Sequence, residues 1–112
     1  MGRVIPEIDQ QQANLAKLCR RYRVKQLQLF GSAVKGTFMP ATSDLDFIAE
    51  FADTQAGDYA DRFLDFAEAL EALFNRRVDV LTKRSIRNRY FRDEVERTAR
   101  VIYEDPNQKK AA

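Results

Sequence analysis

A chain of 112 residues, 45% of them apolar, is long enough to bury one hydrophobic core but too short to form two domains. Its formal net charge of +2 is too small to indicate a nucleic-acid-binding protein. The absence of histidine excludes catalytic triads and zinc sites that depend on histidine, and the single cysteine, Cys19, excludes an internal disulfide. Because neither a membrane-length apolar run nor a signal peptide is visible, we expect a cytoplasmic protein without a membrane partner.

The hydrophobic pattern predicts short helices and strands that alternate along the chain. They are a helix over residues 7–22, a strand over 24–30, a turn over 32–35, a strand over 44–51, a helix over 59–74, a strand over 78–82 and a helix over 85–98. Asn75 is expected to end the helix before it, and Cys19 to lie in the core. Residues 101–103 form a candidate last strand. This order indicates an α/β (α+β) domain in which helices flank a small mixed β-sheet.

The inner positions of three elements follow from their periodicity. In the second strand one face carries Leu45, Phe47, Ala49 and Phe51, and the other carries Asp44, Asp46, Ile48 and Glu50. In the helix over 59–74 the inner residues are Tyr59, Phe63, Phe66, Ala67, Leu70, Leu73 and Phe74. In the last helix they are Ile86, Tyr90, Phe91 and Val95.

Two carboxylates stand at alternate positions at the start of the second strand. Since side chains two residues apart share a face, Asp44 and Asp46 should lie roughly 6.5–7 Å apart. At that distance two like charges repel by roughly 2.4 kcal/mol at an effective dielectric near 20. The repulsion would be relieved if the strand lay at an edge of the sheet and one of the two carboxylates pointed into water. A hard divalent cation with oxygen ligands would also relieve it, and Mg²⁺ holding a nucleotide phosphate is its commonest form.

A third carboxylate, Asp79, stands between Val78 and Val80 in the third predicted strand. Burying this carboxylate without a partner would cost free energy, so we expect a function to explain its position in the strand. If this strand runs beside the strand over 44–51, the three aspartates converge at one end of the sheet. Such clusters hold two metal ions in phosphoryl-type transfer.

These residues give the chain a resemblance to the minimal nucleotidyltransferases, a small prokaryotic group within the superfamily related to DNA polymerase β. The resemblance is carried by Leu29-Phe30-Gly31-Ser32, Gly36, Pro40, Ser43-Asp44-Leu45-Asp46, Val78-Asp79-Val80-Leu81 and Ser85-Ile86-Arg87-Asn88. It implies a nucleotidyltransferase domain over residues 1–105, followed by a flexible tail over 106–112. Eleven residues separate Ser32 from Asp44, one more than is usual in the family, so we expect a longer loop with the site retained.

The resemblance also implies roles for individual residues. Gly31 would let the backbone approach a triphosphate. Ser32 would bond the β- and γ-phosphates, with Ser43 also on the phosphate-binding side. Lys35 would supply the positive charge that relatives carry directly after the serine, where this chain has alanine.

The three aspartates would form the catalytic and metal-binding set in this family setting. Asp44 and Asp46 would bind two Mg²⁺ ions, with ATP as the substrate. Asp79 would bind the metal on the acceptor side and help to deprotonate the attacking hydroxyl. Attack on the α-phosphorus would transfer a nucleoside monophosphate and release pyrophosphate.

The partner implied by the resemblance is a HEPN-family RNase toxin. Larger family members add an acceptor-binding domain where this chain ends, so a second polypeptide is expected to bring the acceptor. The leading hypothesis is an antitoxin that transfers AMP from ATP to a tyrosine of the toxin. Two alternatives stay open: an antitoxin that acts by binding alone, and a transferase for a small molecule or a tRNA end. A solvated helix face or a contact with phosphate or an acidic partner would explain the basic residues Lys83, Arg84, Arg87, Arg89 and Arg92.

Overall fold

A computed structural model of the protein describes residues 6–31 and 44–106. The predicted turn over 32–35, the loop before the second strand and the tail after residue 106 lie outside the described residues. The helices are α1 (Pro6–Gln10), α2 (Gln12–Arg21), α3 (Tyr59–Phe74) and α4 (Arg89–Thr98). The strands are β1 (Val24–Phe30), β2 (Leu45–Phe51), β3 (Val78–Leu81) and β4 (Arg100–Glu104), and a 3₁₀ turn spans Lys83–Ser85.

The four strands form one mixed sheet in the order β3-β2-β1-β4. β1 pairs antiparallel with both β2 and β4, whereas β2 and β3 run parallel and are joined by α3. The predicted α/β class with a small mixed sheet is therefore confirmed. The parallel pair matters most for the site, because it aligns the starts of β2 and β3 at the same edge of the sheet.

One face of the sheet packs against α1, α2 and α3. Its core contains the predicted inner residues of β2, together with Cys19 and three large side chains of α3, all of them buried. The α3 residues are Phe66, Leu70 and Phe74. Since the alternation of β2 places Leu45, Phe47, Ala49 and Phe51 in this core, the prediction for that face is confirmed.

The opposite face is covered by α4 and by the segment that precedes it. Phe30 and Ile48 from the sheet pack there against Ile86 and Val95, and all four side chains are buried. This second core is small, and it occupies the face that also carries Asp46. The sheet is thus sandwiched between helices, with the acidic residues at the edge of the smaller core.

Two helix predictions were wrong in detail. The helix expected over 7–22 is two helices, separated at Gln11, whose φ of −105° and ψ of 14° depart from helical values. The helix expected over 85–98 begins at Arg89, because the side chain of Asn88 caps it by accepting from the backbone N–H groups of Tyr90 and Phe91. Tyr90, expected inside, is 83% exposed, and Phe91 is 39% exposed.

The connection between the parallel strands is fastened at both ends of α3. At the start, the guanidinium of Arg62, only 6% exposed, donates to the carbonyl oxygens of Tyr22 (3.0 Å) and Asp53 (2.7 Å) and to the carboxylate of Asp58 (3.2 Å). At the end, Asn75 adopts the left-handed conformation and its N–H bonds the carbonyl of Glu71, as predicted for the residue that ends this helix. These contacts hold the crossover that positions β3 beside β2.

Among the described residues, no helix is both long and apolar enough to span a membrane.

Candidate functional site

Asp46 and Asp79 are directly opposite each other on the parallel strands β2 and β3. Neighbouring strands lie about 4.8 Å apart, and residues in register on such a pair project their side chains from the same face. The two carboxyl groups lie within hydrogen-bonding reach of each other. The prediction that the third strand runs beside the second, and brings Asp79 to Asp46, is confirmed.

The electrostatic environment of Asp46 is unfavourable for a carboxylate. Its pKa is raised from 3.8 to about 6, chiefly because burial removes water from the charged form, and then because Asp79 and Asp44 are negative neighbours. A side-chain hydrogen bond with Asp79 favours the protonated form further. Among the described residues, no cationic side chain forms an ion pair with any of these three aspartates. The site therefore concentrates negative charge that a bound cation would relieve.

Asp79 itself is exposed, contrary to the reason for which the sequence singled it out. The expectation of a costly buried carboxylate was wrong, because β3 is an edge strand and its second residue faces solvent. What makes Asp79 part of the site is its register with Asp46. An exposed carboxylate beside a partly buried one is well placed to meet an incoming molecule.

Gly31 is the residue that allows Asp46 to sit where it does. Its φ of +80° lies in the left-handed region that favours glycine, and a Cβ atom there would collide with Oδ2 of Asp46. The contact follows from the antiparallel register, in which Phe30, the preceding residue, faces Asp46. Gly31, the first residue after β1, and Asp46 of the acidic strand β2 thus lie next to each other, as one site requires.

The remaining predicted phosphate-binding residues, Ser32, Lys35 and Ser43, lie outside the described residues. Asp44 is the first described residue after that gap and is partly buried. Its charge acts on Asp46, so the structure places it in the same acidic neighbourhood. The roles of these four residues stay predictions.

Among the described residues, no three histidine, cysteine, aspartate or glutamate side chains are gathered closely enough to hold a metal ion. The structure thus brings Asp46 and Asp79 together as a pair, with Asp44 more loosely associated than the predicted triad. The chemistry still fits a hard cation, because the pair offers only carboxylate oxygens and lacks a neutralising side chain within the described residues.

A cavity that was not apparent from the sequence lies beside α4, on the face of the sheet that also carries Asp46. It has a volume of about 410 Å³ and is lined by Gln28, Lys83, Arg84, Ile86, Arg92, Val95 and Glu96. Neither Asp46 nor Asp79 lines it. All five residues of the predicted basic set are exposed, and three of them line this cavity.

Several known proteins are similar to this chain. The family model described as a nucleotidyltransferase domain matches residues 14–102. A Methanocaldococcus jannaschii protein that is named, by inference, a protein adenylyltransferase is 34% identical over 76 residues, which are 68% of this chain and 74% of the relative. The protein adenylyltransferase MntA of Thermococcus cleftensis is 32% identical over 76 residues, covering 68% of this chain and 73% of that protein.

A solved structure shares the fold. It contains a tri-AMPylated Shewanella oneidensis HEPN toxin in complex with an MNT antitoxin, and the matching chain has a TM-score of 0.60 and 19% sequence identity. The match covers 93% of this chain and 78% of that one. The family model and the two relatives each match more than half of this chain. The chain belongs to the nucleotidyltransferase domain family.

Proposed function

We propose that this nucleotidyltransferase is a Mg²⁺-dependent protein adenylyltransferase that transfers AMP from ATP to a tyrosine of a HEPN-family RNase toxin and so acts as its antitoxin. The observation that carries the proposal is the carboxylate pair of Asp46 and Asp79, in register on parallel strands, with Asp46 next to Gly31. The names of the two relatives support protein as the acceptor and AMP as the group transferred. The S. oneidensis complex supports a HEPN toxin as the acceptor.

The cation would be held by Asp46 and Asp79, with Asp44 as a further ligand. When bound, Mg²⁺ would neutralise phosphate and carboxylate charge and so lower the barrier to attack on the α-phosphorus. The raised pKa of Asp46 supports this assignment, because its cause is charge and burial that a cation would offset. Gly31 would leave room for the phosphates beside Asp46, and Ser32, Lys35 and Ser43 would complete their binding.

The chemical step would be a nucleophilic displacement. The tyrosine hydroxyl oxygen bonds to the α-phosphorus of ATP, and the bond from that phosphorus to the bridging oxygen breaks. Pyrophosphate leaves, and the hydroxyl proton passes to the carboxylate of Asp79. Asp79 suits this role because it is the more exposed member of the pair and so faces an incoming protein. The gain in rate would come mainly from positioning and charge neutralisation.

The test is to incubate the protein with ATP, Mg²⁺ and the product of the neighbouring gene, which the proposal expects to be a HEPN protein. Intact-protein mass spectrometry should show the HEPN protein heavier by one or more AMP groups, on tyrosine. Asp46→Asn and Asp79→Asn should each abolish the added mass, and an ATP analogue with carbon in place of the α–β bridging oxygen should give none. An unmodified HEPN protein that is nevertheless inhibited equally by wild type and by both variants would replace the proposal with neutralisation by binding alone.

A further inference from the structure

The first turn of α4 presents an exposed aromatic pair, Tyr90 and Phe91. Tyr90 is 83% exposed and Phe91 39% exposed, although both follow the apolar periodicity of the helix. Single exposed apolar residues are common on protein surfaces and need no explanation. This pair is notable because the two residues are adjacent and because Phe91 contacts Phe30 at the end of β1.

Phe91 is separated from Asp46 by a single aromatic ring, that of Phe30. The ring of Phe91 meets that of Phe30 edge-on, with 5.9 Å between centroids and an interplanar angle of 69°. Phe30 in turn faces Asp46 across β1 and β2 and immediately precedes Gly31. A molecule that covers Tyr90 and Phe91 would therefore reach the edge of the sheet at which Asp46 and Asp79 meet.

The segment that carries the pair is held in place by its own hydrogen bonds. The side-chain oxygen of Asn88 accepts from the backbone N–H groups of Tyr90 (2.9 Å) and Phe91 (3.1 Å). The guanidinium of Arg92 donates to the carbonyl of Ile86 at 2.8 Å, which ties the helix to the preceding segment. A surface fixed in this way loses little conformational entropy when it binds a partner.

Two exposed arginines directly precede the aromatic pair along the chain. Arg87 and Arg89 are exposed on the same segment, and neither forms an ion pair with another residue in the described part of the chain. Tyrosine and arginine are the side chains that most often dominate binding at protein interfaces. Two unpaired arginines beside an exposed tyrosine suit a polypeptide that carries negative charge.

We infer that Arg87, Arg89, Tyr90 and Phe91 form the docking surface for the acceptor polypeptide, which presents an acidic segment around the hydroxyl that is modified. This inference rests on the proposed function and adds to it the surface that selects the acceptor and the charge that the acceptor carries. The aromatic pair contacts the apolar part of the segment, and the arginines pair with carboxylates on either side of the hydroxyl. The docked hydroxyl then lies next to Asp79.

The experiment uses two synthetic peptides, each with one tyrosine, flanked by glutamates in one and by lysines in the other. Binding is measured by fluorescence anisotropy and AMP transfer by mass spectrometry. Wild type should bind and modify the acidic peptide at least about 10-fold better than the basic one. The charge reversal Arg87→Glu/Arg89→Glu should remove that preference. In contrast, Tyr90→Ala should lower the affinity for both peptides by about 10-fold. The KM for ATP should stay within about twofold of wild type in both variants.

Two matched controls separate docking from general effects. Arg97→Glu reverses an exposed arginine in the last turn of the same helix, and Leu64→Ala removes a 61% exposed apolar side chain on α3. Both should behave as wild type towards either peptide. Equal effects of Arg97→Glu and the double reversal would overturn the inference, since the preference would then reflect net charge alone.

The binding measurement keeps this inference separate from the proposed function. A wild-type protein that binds the acidic peptide selectively but adds no AMP to any acceptor would contradict the proposed function and retain the docking surface. A protein that modifies both peptides equally, with the preference untouched by the double reversal, would retain the function and overturn the docking surface. Dissociation of a homodimer by Tyr90→Ala, without peptide binding by wild type, would assign the surface to a second copy instead.

Discussion

Replacing Asp46 with asparagine should stabilise the protein at neutral and alkaline pH while abolishing nucleotidyl transfer. Asparagine keeps the shape of the side chain and can donate a hydrogen bond to Asp79, but it removes the charge that burial and two carboxylate neighbours disfavour. The stability of the wild-type protein should therefore be limited by the group that its activity requires.

The size of the effect follows from the pKa. The pKa of Asp46 is 3.8 ordinarily and about 6 in the folded protein. A difference of that size corresponds to about 3 kcal/mol of free energy of unfolding if it is fully expressed. Because Asp46 is only partly buried, solvent screening reduces this to about 1–2 kcal/mol.

The sign of the pH dependence follows from proton linkage. Between pH 3.8 and about 6 the folded protein holds a proton that the unfolded chain has lost, so its stability falls as the pH rises through this window. Above about pH 6 the penalty is complete, and below pH 3.8 it vanishes. Asp46→Asn should thus match wild type near pH 4 and exceed it by about 1–2 kcal/mol at pH 8, or about 5–10 °C in Tm.

Thermal and urea denaturation at the two pH values would measure this difference. The matched control is Asp65→Asn, which removes an exposed carboxylate from α3 and should leave the pH dependence of Tm unchanged. Adding MgCl₂ at pH 8 should raise the Tm of wild type more than that of Asp46→Asn. A Tm difference between Asp46→Asn and wild type that is the same at pH 4 and pH 8 would refute the reasoning, since the effect would then be independent of ionisation.

Three further predictions concern single residues. Gly31→Ala should lower the free energy of unfolding by about 1–3 kcal/mol and impair transfer, because φ is positive there and the new Cβ meets Asp46. Urea denaturation measures the change in stability. The control is Gly57→Ala, because Gly57 has open space around it. Arg62→Leu should cost about 3 kcal/mol at an unchanged m-value, since leucine cannot make the three hydrogen bonds that the buried guanidinium donates. Burial raises the pKa of the Cys19 thiol to about 12, so a disulfide reagent at pH 8 should label it only after unfolding, and rapid labelling of the native protein would contradict its place in the core.

Local patterns in the sequence were sufficient to predict the bounds of the central strands and of the long helix to within one residue. The bounds of β1 and α3 agree with the predicted ones, and β2 starts one residue later. These elements have strict periodicity, and their ends carry residues with a physical reason to stop a helix or strand. Gly31 and Asn75 both adopt positive φ at those ends.

The proximity of Asp79 to Asp46 was predicted correctly, but for a reason that was only half right. The sequence singled out Asp79 because a carboxylate inside an apolar strand should be costly to bury. The structure exposes it, and its link to Asp46 comes from the pairing of β3 with β2, which joins residues distant in sequence. Strand order and register are long-range properties, so hydrophobic periodicity could suggest this pairing without establishing it.

The errors at both ends of the chain also have physical explanations. The run of glutamines at residues 10–12 contains no helix-breaking residue, so the interruption at Gln11 could not be read from it. Tyr90 has the spacing of an inner residue, but Asn88 starts the helix late and the second core is too small to cover the first turn. An apolar spacing therefore marks a face of a helix without saying whether anything covers it.

The parallel pairing of β2 with β3 also bears on when this protein becomes active during its synthesis. Asp46 leaves the ribosome well before Asp79, with all of α3 in between. Until β3 has emerged and paired, the two carboxyl groups have no fixed relation, and the partial chain has neither their mutual repulsion nor a place for a phosphate. Activity should thus begin only after β3 has emerged and paired with β2, and pauses in translation upstream of Val78 should delay it.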